Sequence, residues 1–105
     1  MTALALTGFL GLSAALFGIG LFGILTRRNF ILLLISIEIA MNAAILNFVY
    51  FAAFPSGTQG LSGQSIAVVL IGFAATEVAV GLAIVLALNR LKGTINVARA
   101  NELKL

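Results

Sequence analysis

The sequence contains no cysteine and no histidine. Disulfides and thiolate metal sites are therefore excluded. The commonest metal ligand and the commonest general base are missing as well, which argues against a hydrolytic triad, a zinc site or a haem site. Charge is scarce: 9% of the 105 residues are charged and 62% are hydrophobic, whereas a soluble domain is nearer a quarter charged and about half apolar. So few charges cannot solvate a globule of this size, and the mean hydropathy of +1.22 points to lipid as the solvent. The length suits one domain, residues 1–105.

The net charge is +3. The basic residues flank apolar stretches, which reads as membrane orientation and not as a nucleic-acid patch. The opening residues, MTALALTGFL, carry no Lys or Arg. They lack the positive n-region of a secretory signal, and the first apolar stretch is too long for an h-region. It is expected to be a retained span.

Three apolar stretches follow, at about residues 3–25, 30–53 and 64–89. Each exceeds the ~20 residues a helix needs to cross a ~30 Å hydrocarbon core. Thr26-Arg27-Arg28-Asn29 makes a tight polar turn between the first two. Residues 54–63 hold the sole proline, Pro55, and three glycines, so they read as a loop. A polar tail covers 90–105. The expected fold is an all-α membrane protein of three transmembrane helices. The turn at Arg27 and Arg28 and the tail carry all six basic residues, and with three spans they share one side. The positive-inside rule makes that side cytoplasmic and the N-terminus external.

Each span has small residues four apart: Gly11/Ala15 and Ala14/Gly18 in the first, Ser36/Ala40/Ala44 in the second, Ala75/Ala79/Ala83/Ala87 in the third. Such stripes let helix backbones approach closely.

The chemistry lies in two acids. Glu38 sits in LLLISIEIAMNAAIL and Glu77 in IGFAATEVAVGLAI, with no basic residue in either span. Glu38 is roughly 12 Å from the start of its helix and Glu77 roughly 18 Å from the end of its own. These ends lie on one side of the membrane, so the depths differ by about 6 Å. An acid at a helix centre costs about 2.5 to 3.5 kcal/mol of insertion free energy, and such residues typically face a water cavity or a partner in ion or proton pathways. A carboxyl removed from water tends to keep its proton and can hand it on. The plainer alternative is a glutamate paired with a cation of a neighbouring subunit, for assembly only. Asn42 is four residues after Glu38, where its amide could hold a water or bond the acid. Gly81, four after Glu77, leaves space beside that carboxyl. Ser36/Ala40 and Ala75/Ala79 fall roughly opposite the acids, so the second and third helices need neighbours on both sides. Three helices cannot supply them, which implies a subunit of a larger membrane complex.

These residues resemble subunit K of NADH-quinone oxidoreductase, respiratory complex I, including its cyanobacterial and plastid counterparts. The resemblance runs from Leu16-Phe17-Gly18-Ile19-Gly20 and Leu25-Thr26-Arg27-Arg28-Asn29 through Ser36-Ile37-Glu38 and Met41-Asn42-Ala43. It is closest in Ala74-Ala75-Thr76-Glu77-Val78-Ala79-Val80-Gly81, and Asn101-Glu102-Leu103-Lys104 continues it. It departs at Ala44-Ile45-Leu46-Asn47, where the family usually has an Asn-Leu pair, and at Thr76, where it often has Ala. The resemblance implies a membrane-arm subunit packed among antiporter-like and quinone-site-adjacent subunits in a multi-pass bacterial plasma membrane, or a thylakoid membrane. It implies that Glu38 and Glu77 are proton-relay acids coupled to quinone reduction, that Asn42 supports them, and that Arg27 and Arg28 are functionally sensitive charges of the cytoplasmic side. It places the flavin, iron-sulfur clusters and quinone in other subunits, with no cofactor in this chain, and leaves NADH and ferredoxin both open as electron donor.

The nearest rival is the three-helix relative of subunit K found in the multisubunit Na+/H+ antiporters, a branch that generally lacks the third-helix glutamate. A small multidrug transporter needs four spans and an acid in the first. The proteolipid ring protein of ATP synthases has two spans and one acid. A pure assembly protein would tolerate neutralisation of both glutamates.

Overall fold

A computed structural model describes residues 3–53 and 59–92. Among them are three helices: α1 Ala3–Thr26, α2 Phe30–Ala53 and α3 Gln59–Lys92. In lipid a backbone must satisfy its own hydrogen bonds, and a helix does so within one segment. The polar side chains of the spans follow the same rule. The hydroxyls of Thr7, Thr26, Ser36 and Thr76 each donate to the carbonyl four residues back, at 2.9, 2.7, 2.7 and 2.9 Å. At 24 residues each, α1 and α2 are about 36 Å long, enough for a ~30 Å core. All three helices are long and apolar enough to span a membrane.

The turn between α1 and α2 is short because Asn29 caps α2. Its Oδ1 accepts from the N–H groups of Ile31 (2.9 Å) and Leu32 (3.4 Å), two donors with no helical partner. The Arg27 N–H still donates to the Gly23 carbonyl at 3.0 Å, which carries the last turn of α1 up to the corner.

α3 departs from the sequence expectation. It starts at Gln59 and runs 34 residues, taking in part of the stretch expected to be loop. Gly60 and Gly63 are helical because a glycine without a proline weakens a helix by only about 1 kcal/mol. The rest of the expected loop, the orientation of the tail beyond Lys92 and both chain ends lie outside the described residues.

α2 is the central helix and packs on both α1 and α3. The α1–α2 seam is built from small residues. Gly23 sits against Ser36, Gly20 sits in the notch between Ser36 and Ala40, and the ring of Phe9 lies 4.3 Å from that of Tyr50. Ser13, Gly20 and Gly23 are buried from α1, and Ser36, Ala43 and Tyr50 from α2. These positions recur at spacings of three and seven, the period of left-handed helix packing. The expected α1 stripes are not the contact: Gly11, Ala14, Ala15 and Gly18 are exposed, and a Cβ on Gly11 or Gly18 would meet nothing within 4 Å. Ser36 and Ala40 belong to the α1 contact, whereas Ala44 is exposed.

The α2–α3 seam places Gly81 against Leu34 and Gly63 against Ala52. The helices are therefore antiparallel in continuous register, with Met41 opposite Ala74 and Ile45 opposite Leu70. Ala67, Ala74 and Val85 are the buried residues of α3. Ala75, Ala79, Ala83 and Ala87 face outward, on the side that three helices leave uncovered.

Candidate functional site

The register that sets Gly81 against Leu34 also sets the acids. Four residues back along α3 is Glu77, and four residues forward along α2 is Glu38. The two carboxyl-bearing residues thus stand opposite one another across the seam, at one level and not about 6 Å apart in depth. Each is half-buried.

They differ in what they face. Glu77 borders an open groove of about 700 Å³ between α2 and α3, whose walls include Leu34, Ile37, Met41, Phe73 and Gly81. Ile37 lines this groove and Glu38 does not, because successive helix residues point about 100° apart. Glu38 lies outside that lining, and its Oε1 is buried with no hydrogen-bond partner among the described residues. An orphaned buried oxygen is rare in a folded chain and calls for water or a partner from outside. About 4.5 Å along the seam from the acids, the next pair is Met41 against the buried Ala74.

The other expected site residues are placed differently. Asn42 is exposed and lies one turn along α2 from Glu38. The Thr76 hydroxyl is engaged by the Gly72 carbonyl at 2.9 Å. Gly81 borders the groove beside Glu77, as expected of a space-leaving residue, with the tip of Leu34 occupying the space. Arg27 and Arg28 are exposed at the end of the bundle, about 15 Å along α2 from Glu38. The fold does not bring them to the acids. The sequence reading missed the seam residues Met41, Ala67 and Ala74. Small residues spaced seven apart, Ala67, Ala74 and Gly81, were the available signal, and the stripes spaced by four concealed it.

Among the described residues no three His, Cys, Asp or Glu side chains group as metal ligands. The arrangement supports one kind of chemistry: two titratable groups at one depth of a membrane, on either side of a helix seam.

A family model described as NADH-ubiquinone/plastoquinone oxidoreductase chain 4L matches residues 8–105. The chain belongs to the chain 4L family. Its relatives include the NADH-quinone oxidoreductase subunit K 1 of Syntrophobacter fumaroxidans, 48% identical over 94% of this chain and 96% of the relative. The subunit K of Anaeromyxobacter sp. (strain K) is 49% identical over 85% of this chain and 87% of its own. The subunit K 1 of Symbiobacterium thermophilum is 44% identical over all of both chains. Membership of the chain 4L family agrees with three membrane-spanning helices and makes the chain a component of a membrane-bound oxidoreductase complex.

Proposed function

We propose that the chain is a membrane-arm subunit of a proton-pumping oxidoreductase of the complex I type, and that Glu38 and Glu77 carry protons along the path coupled to quinone reduction. The observation that carries this reading is the placement of both carboxyls at one level across the α2–α3 seam, with a buried and unpartnered oxygen on Glu38. Such an oxygen, in a span with no cation, suits a group that exchanges a proton with water better than one locked in an ion pair. The remaining roles follow the family. Antiporter-like and quinone-site-adjacent subunits pack over the outer face of α3. Arg27 and Arg28 mark the cytoplasmic side of a bacterial plasma membrane, and Asn42 orders water near Glu38. Electrons and their carriers stay in other subunits.

Replacing Glu38 by Gln removes the titratable proton and keeps the shape. In membranes, Glu38→Gln and Glu77→Gln should each leave the complex fully assembled. Proton uptake into vesicles and coupled quinone reduction should each fall about tenfold or more. Pumping at the wild-type rate in either variant would remove that residue from the path. Loss of the complex itself would favour a purely structural acid.

A further inference from the structure

One end of the bundle is strongly basic. Arg27 and Arg28 form the α1–α2 turn, and Arg90 and Lys92 lie in the last turn of α3. The antiparallel register puts Val85 opposite Phe30, so Arg90 stands about 7 Å beyond the first residue of α2, on the side where Arg27 and Arg28 precede it. The acids among the described residues, Glu38 and Glu77, lie about 12 Å deeper. Arg27, Arg28 and Arg90 are exposed. The turn that carries the first two is held by the Asn29 cap and by the Leu33 N–H donating to the Asn29 carbonyl at 2.9 Å.

The apolar side chains near these cations are bare: Phe22 is 62% exposed, Leu25 75%, Leu86 63% and Leu91 72%. Each is within five residues of Arg27 or Arg90 in the sequence, at the level where a helix of about 36 Å leaves a ~30 Å core. That is the pattern of an amphiphile with a negative head. An acidic protein segment lying on the membrane surface would use the charges and leave the apolar row below them unmatched.

We propose that this end binds an anionic phospholipid, its phosphate held by Arg27 and Arg28, its acyl chains lying along Phe22 and Leu25, and Arg90 adding to the attraction from α3. Arginine suits the task because its planar fork meets phosphate oxygens in pairs, and juxtamembrane cations attract anionic lipid strongly. The binding is independent of the proton path proposed above, so either can fail without the other.

The test uses the assembled complex in phosphatidylcholine vesicles doped with a photoactivatable phosphatidylglycerol or, in parallel, a photoactivatable phosphatidylcholine. Adducts are mapped on this chain by mass spectrometry. The phosphatidylglycerol probe should label the stretch from Phe22 to Arg28 well above the phosphatidylcholine probe. Excess plain phosphatidylglycerol, but not phosphatidylcholine, should compete. Arg27→Gln and Arg28→Gln should each reduce labelling about fivefold, while Arg27→Lys should retain most of it. Equal labelling by both probes would overturn the proposal in favour of ordinary bilayer contact with orienting charges only. Absence of labelling would overturn it in favour of coverage by another subunit. If the glutamine variants do not assemble, competition on the unaltered complex decides the matter by the same two outcomes.

Discussion

At the scale of residues, the two glutamates have unequal surroundings. Glu77 borders an apolar groove, and Glu38 lies outside that lining with one oxygen enclosed. Water can bridge a shift of one or two hydrogen bonds, which gives a positional test. Asn42 lies about 6 Å along α2 from Glu38, on an exposed part of the helix turned about 40° from the Glu38 direction. In the double variant Glu38→Gln with Asn42→Glu, a carboxyl returns to the Glu38 flank of α2. Proton uptake by vesicles should recover measurably above the Glu38→Gln level. No recovery, with the complex intact, would mean that Glu38 acts through a fixed contact and not through water.

At the scale of elements, both seams depend on backbone proximity, but not equally. A Cβ on Gly20 would meet the Ala40 nitrogen and the Ser36 carbonyl oxygen at 2.7 Å, atoms of a helix backbone that cannot yield. A Cβ on Gly81 would meet the tip of Leu34 at 2.7 Å, and that side chain can rotate. Gly18 has nothing within 4 Å. Overpacking of a seam costs about 1–3 kcal/mol, while glycine to alanine within a helix recovers about 1 kcal/mol of intrinsic propensity. Gly20→Ala should therefore lower the amount of assembled complex in membranes, by blue-native gel. Gly81→Ala should have a smaller effect, and Gly18→Ala none or a slight gain. Equal behaviour of Gly18→Ala and Gly20→Ala would contradict the α1–α2 register. A wedge in the other seam, Ala74→Leu, should separate α2 from α3 about one turn from the acids. Quinone reduction should then fall more than assembly does.

At the scale of the whole molecule, the chain keeps little of itself inside: 17%, 17% and 11% of the three spans is buried. Phe17, Phe22, Phe73 and many aliphatic side chains point outward. In lipid such surfaces are not themselves a driving force for association, so packing comes from small residues and polar groups. The outward Ala75/Ala79/Ala83 row and the groove beside Glu77 have no cover among the described residues. Expressed without the rest of the complex, the chain should be degraded or aggregate. A stable, monodisperse monomer that moves protons unaided would contradict the subunit reading. Sidedness is testable without background, since there is no natural cysteine. Thiols from Arg28→Cys and Lys92→Cys should react with an impermeant reagent from the cytoplasmic side only, and one from Ser56→Cys from the opposite side only. Labelling of all three from one side would exclude three alternating spans.

What the sequence alone determined is whatever depends on composition along a single strand of chain. Three spans follow from runs of apolar residues long enough for a bilayer, and the corner at Asn29 from its capping side chain. The two acids stand out because a carboxyl in such a run is expensive, and the arginine turn and the glutamate contexts were specific enough to indicate the family. What only the tertiary structure decided is which faces meet. A stripe of small residues can form on several sides of a helix rich in Ala and Gly, and sequence spacing does not rank them. The choice of Gly20 and Gly23 over Gly11 and Gly18 came from fitting two whole surfaces together. The position of Glu38 opposite Glu77 is a property of the antiparallel register between α2 and α3. That register is set by Gly81 receiving Leu34 and Gly63 lying against Ala52, a fit between two surfaces that neither helix carries in its own sequence.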